Sequence, residues 1–414
     1  MATSMTVSAA PLRGEVSMLP SKSVMHRALI CASLAGGVTE LSPLLLSEDI
    51  QATLAACQTL LSNIHVGDSI TVTGRHSLPE QAAVNCRESG STIRFFLPVA
   101  AALGAHVTFT GEGRLPQRPL TPLFELFDQN GFSYMAQGNL PVTLQDKLAS
   151  GTLRIRGNVS SQFITGLLLA LPLLGDSVLE VTTPLESRPY VDITLDIMKQ
   201  FGITCSHENY RTFSVSGTYH SPGKFMCEGD WSNAAFWLVA NALGGEISVS
   251  NLSPATAQGD SQIIAILKQC GFSVSEQYLV RPARKIGTEK LCIDVSDIPD
   301  LVPILAVLGS FCCSEMHLTG AARLRLKESD RLSATAGELN RLGADITELE
   351  DGLVIRHVDT LHGGQVSSHN DHRIAMALAI AAQKSTAPIV IDGADAVQKS
   401  YPAFWQELER LKKQ

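Results

Sequence analysis

Nine residues, Arg323 to Arg331 (RLRLKESDR), set four cations and two carboxylates side by side, just before an amphipathic run from Leu332 to Leu342. Such density is tolerated either in water or against a charged ligand. In water, Glu328 with Arg331 and Lys327 with Asp330 would pair at i,i+3 on a solvated helix start. Against a ligand, the cations would hold an anion and Glu328 could move a proton. Related clusters recur along the chain. Lys22, Ser23 and Arg27 form one, and Ser23 and Arg27 share a helix face at i,i+4. Ser89, Gly90, Ser91 and Arg94 form another, in which Gly90 allows close backbone approach to a ligand. Ser160, Ser161 and Gln162 are neutral hydrogen-bonders suited to phosphate or hydroxyl oxygens. Arg118 is held extended by Pro119. Asp300 is a second candidate proton carrier, and Asn370-Asp371-His372-Arg373 and Lys399 complete the set.

Each residue also has a plainer reading. Arg27 and Arg94 could snorkel out of buried helices, His372 could sit at a core edge, and Asp300 could be a helix cap. Against these stands a pattern: basic residues repeatedly interrupt the starts of otherwise apolar runs. An unpaired buried cation is costly, so one ligand with several negative charges accounts for them together.

The elements that must position these groups form a repeat. A small polar cluster, an apolar helix-length run, a Gly-containing turn and a strand recur from Ser21, Ser89, Ser160, Asp230, Ile298 and Asn370, successive starts lying 68 to 72 residues apart. The runs are apolar nearly all round, which predicts buried helices capped by Ser, Asp or Asn. A second, amphipathic helix type is expected between them, at Leu120 to Asn130, Tyr190 to Phe201, Ser261 to Cys270 and Arg331 to Leu342. Hairpin strands follow, as at Thr212 to Ser216 and Gly352 to Arg356. The predicted unit is β-α-β-α-β-β, used six times. Six units exceed one core, so two domains of three units each are expected. If the buried helices of a domain run parallel, their N-termini make an anion site.

Composition limits the partners. With 414 residues, 45% hydrophobic, 17% charged and net charge −8, the chain does not read as a nucleic-acid binder, and anion affinity must come from local Arg and Lys clusters. The nine cysteines are scattered and mostly sit in apolar runs, with no metal-binding spacing, so neither a disulfide framework nor zinc is expected. Cys312-Cys313 reads as packing. The N-terminus shows no signal-peptide pattern, and the most apolar run, Phe163 to Leu174, is too short to span a bilayer. A cytoplasmic protein without a membrane partner is expected.

Nine motifs in order carry a family resemblance: LPSKSVMHR from Leu19, SGSTIRF from Ser89, SSQF from Ser160, SRPYVDIT from Ser187, EGDWS from Glu228, IPD from Ile298, KESDRL from Lys327, NDHRIAM from Asn370 and KSYP from Lys399. Together they resemble the 5-enolpyruvylshikimate-3-phosphate (EPSP) synthase family, over nearly the whole chain. The resemblance implies an inside-out α/β barrel of two domains, each of three βαβαββ units. One domain would be discontinuous, residues 1–18 with 228–414, and the other, 19–227, inserted in it. It implies addition of the shikimate 3-phosphate 5-hydroxyl to C2 of phosphoenolpyruvate (PEP), protonation at C3, and elimination of phosphate. By position, Lys22, Ser23, Arg27, Ser160, Ser161, Gln162, Ser187, Asp300 and Lys327, with Tyr190 in addition, match shikimate 3-phosphate contacts. Lys22, Gly90, Arg118, Gln162, Arg331, Arg373 and Lys399 match PEP contacts, and Asp300, Glu328 and Lys22 the catalytic groups. The expected partners are these two small molecules only, with no cofactor or metal, no nucleic acid and a monomeric chain.

Pro20, Glu88, Phe95 and Arg323 depart from the common family pattern. They bear on PEP affinity and on glyphosate, to which the presence of Gly90 predicts some sensitivity. A related reading, UDP-N-acetylglucosamine enolpyruvyl transferase, calls for a Cys in the loop Gly111 to Pro119, which has none. A catalytically silent anion-binding relative would be expected to lack some of Lys22, Asp300, Glu328 and Lys399, and all four are present.

Overall fold

The computed structural model describes residues 3–74 and 77–413. The chain divides into two compact units, Pro20–Glu228 and Met1–Leu19 with Gly229–Gln414. Helices of the first unit are α1 (Lys22–Leu34), α2 (Glu48–Leu60), α3 (Gly90–Leu103), α4 (Thr121–Gln129), α5 (Ser161–Ala170) and α6 (Arg188–Gln200). Those of the second are α7 (Trp231–Ala242), α8 (Ile263–Gln269), α9 (Val302–Cys312), α10 (Arg331–Arg341), α11 (His372–Ala381) and α12 (Phe404–Lys412).

The six apolar runs are α1, α3, α5, α7, α9 and α11. Having no polar face to show water, they are buried nearly all round: every residue of α9 and of α11 is buried, as is every residue of α7 from Trp231 to Asn241. Side-chain caps start four of them. Ser89 accepts from Thr92 N, Ser160 from Gln162 N, Asp230 from Asn233 N and Asp371 from Arg373 N. Three starts differ from expectation. The α9 helix follows the 3-10 turn Pro299–Leu301 without a side-chain cap. Ser21 makes no side-chain cap bond, and the last run is capped by Asp371 rather than Asn370, which takes a left-handed φ of 57° just before it. Among the amphipathic runs, the one expected from Tyr190 begins at Arg188, with Pro189 in its first turn. The one expected from Ser261 opens as a 3-10 turn, Gly259–Gln262, before α8.

Each repeat joins two parallel strands through its buried helix. Ala82–Asn85 pairs with Val107–Thr110, Thr152–Ile155 with Val178–Val181, Lys290–Asp294 with Glu315–Thr319, and Gly364–Ser367 with Ile389–Asp392. At the chain crossings the first strand comes from elsewhere. Lys224–Met226 lies parallel to Val38–Ser42, and Arg13–Ser17 to Glu246–Ser250. An antiparallel hairpin completes four sheets. Two repeats of the second unit depart from the ideal pattern. In the fourth, the hairpin Phe272–Val274 and Val280–Pro282 forms its own two-stranded sheet. In the sixth, Met5–Val7 pairs antiparallel with Ile389–Asp392 in place of a hairpin. The N-terminal segment thus carries two strands where the sequence suggests one.

In the second unit α7, α9 and α11 pack against one another. In the first, α3 lies against α5, while α1 packs mainly on α2 and α6 and touches α3 and α5 through Arg27. The α3–α5 contact depends on a matched pair. Pro98 has no N–H to give to the Arg94 carbonyl one turn back. Facing that carbonyl, α5 carries Gly166, where an added Cβ would overlap the Arg94 oxygen and touch Pro98 Cγ at 3.0 Å. The Gly166→Ala variant gains about 1 kcal/mol in helix propensity but must push two backbones apart. A net loss of about 1–3 kcal/mol is expected, read as a lower denaturant midpoint at unchanged slope.

Candidate active site

In the first unit the site residues collect at the starts of α1, α3 and α5. Arg27, 2% exposed, does not snorkel. Its guanidinium donates to Thr194 Oγ1 (2.7 Å), Thr165 Oγ1 (3.1 Å), the Ser23 carbonyl (2.6 Å) and the Tyr190 carbonyl (2.9 Å), and lies 5.0 Å from the Phe95 ring centroid. These hydrogen-bond acceptors are all neutral, so burial lowers the Arg27 pKa to about 9. Phe95, a departure from the family pattern, is therefore the face on which this cation rests. His26 beside it is held well below the usual histidine value, by burial first and then by Lys22 and Arg27. Its Nδ1 meets Thr53 Oγ1 (2.7 Å), which meets Thr92 Oγ1 (2.7 Å), which donates to the α3 cap Ser89 (2.8 Å). This buried chain fixes the start of α3.

Arg94 is buried too. It donates to Gln162 Oε1 (2.7 Å) and the Pro119 carbonyl (3.2 Å) over the Phe163 ring, and Gln162 Nε2 donates to Ser91 Oγ (3.0 Å). The α3 and α5 starts are thereby joined side by side, which is the parallel arrangement the repeat suggests. At Gly90 a Cβ would fall 2.7 Å from Arg118 Nη1, so Arg118, extended at ψ 134° and 6% exposed, lies directly on this glycine. Lys22 is paired with Asp49 in the first turn of α2 at 2.9 Å. Ser187 precedes α6 in the left-handed region, φ 55°, and is buried. The Glu88 carboxylate packs over Gly113.

The second unit handles its cations differently. Arg331, 1% exposed, reaches three carboxylates: Nε to Asp371 Oδ2 (2.9 Å), Nη1 to Asp300 Oδ1 (2.8 Å) and Nη2 to Glu328 Oε2 (2.9 Å). Burial pulls this guanidinium down, but Asp371, Glu328 and Asp300 outweigh it, and its pKa lies above the usual arginine value. Arg373 Nη2 meets the other Asp300 oxygen at 2.8 Å. Asp300 therefore serves two arginines across the α9, α10 and α11 starts, and its position is not explained by helix capping. Lys399, 5% exposed, donates to the Asn370 carbonyl (2.8 Å). Lys327 is brought to about 8 by burial, which Asp300 and Glu328 only partly offset. Asp330 caps α10 and pairs with Arg325 (3.1 Å), not with Lys327. Arg323 donates to the Ser296 carbonyl. Among the described residues no group of three His, Cys, Asp or Glu side chains is placed to hold a metal ion.

Sequence reasoning singled out the cations but missed most of their partners. Asp371 has no separate task legible in the NDHR cluster, yet it both caps α11 and holds Arg331. Asp49 carries a signal in its place at a helix start. Thr165 and Thr194 carry none, since nothing local marks a hydroxyl as an arginine acceptor.

Three comparisons with known proteins bear on this arrangement. A family model described as EPSP synthase (3-phosphoshikimate 1-carboxyvinyltransferase) matches residues 7–408. The 3-phosphoshikimate 1-carboxyvinyltransferase of Clostridium kluyveri is 47% identical over 405 residues, 97% of this chain and 95% of the relative. That of Clostridium novyi is 43% identical over 416, with the same coverage of both. Among solved structures, an EPSP synthase from Acinetobacter baumannii superposes with a TM-score of 0.80 at 25% identity, covering 99% of this chain and 97% of that one.

The half-buried Lys327 charge yields a stability prediction. Its folded pKa, about 8, lies below the unfolded lysine value. The unfolded chain therefore binds more protons between those two pH values, and folding gains stability as pH rises through them. The Lys327→Gln variant lacks this penalty. It is expected to melt above wild type at pH 7, with the gap narrowing as pH is raised past about 8, as followed by thermal denaturation.

Proposed function

The chain belongs to the EPSP synthase family, and on that premise we propose that Asp300, Glu328 and Lys22 move the protons in its reaction. The enzyme is a 3-phosphoshikimate 1-carboxyvinyltransferase of aromatic biosynthesis, and it transfers the enolpyruvyl group of PEP to the 5-hydroxyl of shikimate 3-phosphate with release of phosphate. Relatives sharing that name over 97% of the chain favour this reading over a UDP-N-acetylglucosamine enolpyruvyl transferase or a silent homologue.

The observation that carries the proton assignment is the shared Arg331 guanidinium. Its two terminal nitrogens each fix one carboxylate, Asp300 and Glu328, whose side chains stay 17% and 20% exposed. Two acid–base groups are thus oriented by one rigid fork, as an addition followed by an elimination requires. Asp300 takes the proton of the attacking 5-hydroxyl as C2 of PEP accepts the oxygen. Glu328, assisted by Lys22, delivers the proton to C3. The tetrahedral intermediate then loses phosphate as the C3 proton is withdrawn and the vinyl double bond re-forms.

Binding falls to the remaining residues. Ser23, Arg27, Ser160, Ser161, Gln162, Ser187 and Lys327, with Tyr190, hold shikimate 3-phosphate, along with Lys22 and Asp300. Gly90, Arg118, Gln162, Arg331, Arg373, Lys399 and Lys22 hold PEP. Supporting this is the charge state of the first unit: Arg27 is a buried cation whose hydrogen bonds all go to neutral acceptors, so a phosphate or carboxylate in its field is stabilised. We further take the enzyme to act as a cytoplasmic monomer without nucleic-acid or membrane partners. Among the described residues no helix is long and apolar enough to cross a membrane.

A phosphate-release assay with both substrates tests the reading. Asp300→Asn and Glu328→Gln are each expected to lower kcat by about 10²–10⁴ with smaller changes in KM. Full activity in either variant removes that residue from the proton chemistry. Gly90→Ala drives a methyl into the Arg118 guanidinium, and because Arg118 is the flexible partner it moves away. KM for PEP is expected to rise and inhibition by glyphosate to weaken, with kcat less affected. Unchanged PEP kinetics would separate Gly90 from the PEP site.

A further inference from the structure

The second unit buries another carboxyl beside this machinery, and the proton transfers make no use of it. Asp260 sits in the 3-10 turn Gly259–Gln262 and is 2% exposed. One of its oxygens accepts the Ser232 hydroxyl from the first turn of α7, and Oδ1 is buried with no hydrogen-bond partner among the described residues. The charges around it come from three helix starts: Asp230, the cap of α7; Asp300, ahead of α9; and Arg373, in the first turn of α11. The elements packed against the turn add little. The Trp231–Ala242 span of α7 has no charged side chain, and α8 has only Lys268, in its last turn. Asp260 and Asp300 thus look to one guanidinium, and Arg373 is already bound to Asp300.

We propose that Asp260 is a positioning residue that sets how firmly Arg373 is held by the protein's own carboxylates, and so how much of its charge is left for an incoming anion. The inference rests on the reading of Arg373 as a PEP contact. While Asp260 is protonated, Arg373 is shared between Asp300 and the substrate. Once Asp260 ionises, a second buried negative charge competes with the substrate for the same cation. The partnerless Oδ1 favours the neutral form, since a buried carboxylate needs donors on both oxygens. In agreement, burial and then the Asp300 charge push the Asp260 pKa up to about 7, against the pull of Arg373. Affinity for PEP is therefore expected to fall as pH rises through neutrality.

Asp260→Asn keeps the shape of the protonated carboxyl and removes the charge at every pH. With wild type, Asp260→Asn and Arg373→Gln assayed from pH 6 to 8.5, the ratio of wild-type to Asp260→Asn KM for PEP is expected to be near 1 at pH 6. It should reach about 10 at pH 8.5, an interaction of one pKa unit. Ser232→Ala removes the donor that favours the charged form, so the rise in KM should move to higher pH in that variant. It gives an independent reading should Asp260→Asn not fold. A ratio independent of pH, or no displacement in Ser232→Ala, overturns the proposal if Arg373→Gln has raised KM. An unchanged KM in Arg373→Gln instead overturns the reading of Arg373, and the inference with it.

Discussion

The Arg331 guanidinium is the tie on which the second unit's chemistry depends. It is the first residue of α10, and it binds the cap of α11, a carboxylate ahead of α9 and its own neighbour Glu328. Three helix starts from two repeats are locked by one planar group. A buried charge with this many partners is costly to disturb, since losing any one carboxylate leaves the others facing an unbalanced cation. The geometry of the proton carriers therefore comes from the packing of the repeat rather than from local backbone conformation.

The first unit solves the same problem with the opposite electrostatics. Arg27 and Arg94 are buried as deeply, but their surroundings are hydroxyls, carbonyls, an amide and two aromatic faces. Neutral acceptors take hydrogen bonds from these guanidiniums without cancelling the charge. The first unit thus keeps a positive field for anions, while the second fixes carboxylates for proton transfer. One repeat, copied, serves both needs by changing which residues face its helix starts.

How much of this is legible in the sequence depends on the range of each interaction. The six buried helices can be read because their spacing and all-round apolarity are local, and the helix-start clusters follow from them. Of the two i,i+3 pairs open to the charged stretch, Glu328 with Arg331 forms, whereas Asp330 turns to Arg325 instead of Lys327. Arg331 with Asp300, or Arg27 with Thr194, joins residues far apart in the chain and leaves no periodic trace. The irregular fourth and sixth repeats are hidden for a related reason: their strands come partly from the N-terminal segment, whose pairing is set by tertiary structure.

That segment has a consequence for the order in which the protein is made. Met5–Val7 and Arg13–Ser17 are synthesised well before their partners, Ile389–Asp392 and Glu246–Ser250. At about 5–20 residues per second, the first of these strands waits roughly 20 to 80 s for its mate. The Pro20–Glu228 unit does not share the delay. Its own ends meet, with Ser21 N donating to the Glu228 carbonyl at 2.7 Å, so it closes on itself once Glu228 emerges. Synthesis therefore delivers a finished inserted unit while the second unit still holds an open sheet edge, and Ile389–Asp392, the latest strand among the described residues, is the one that closes it.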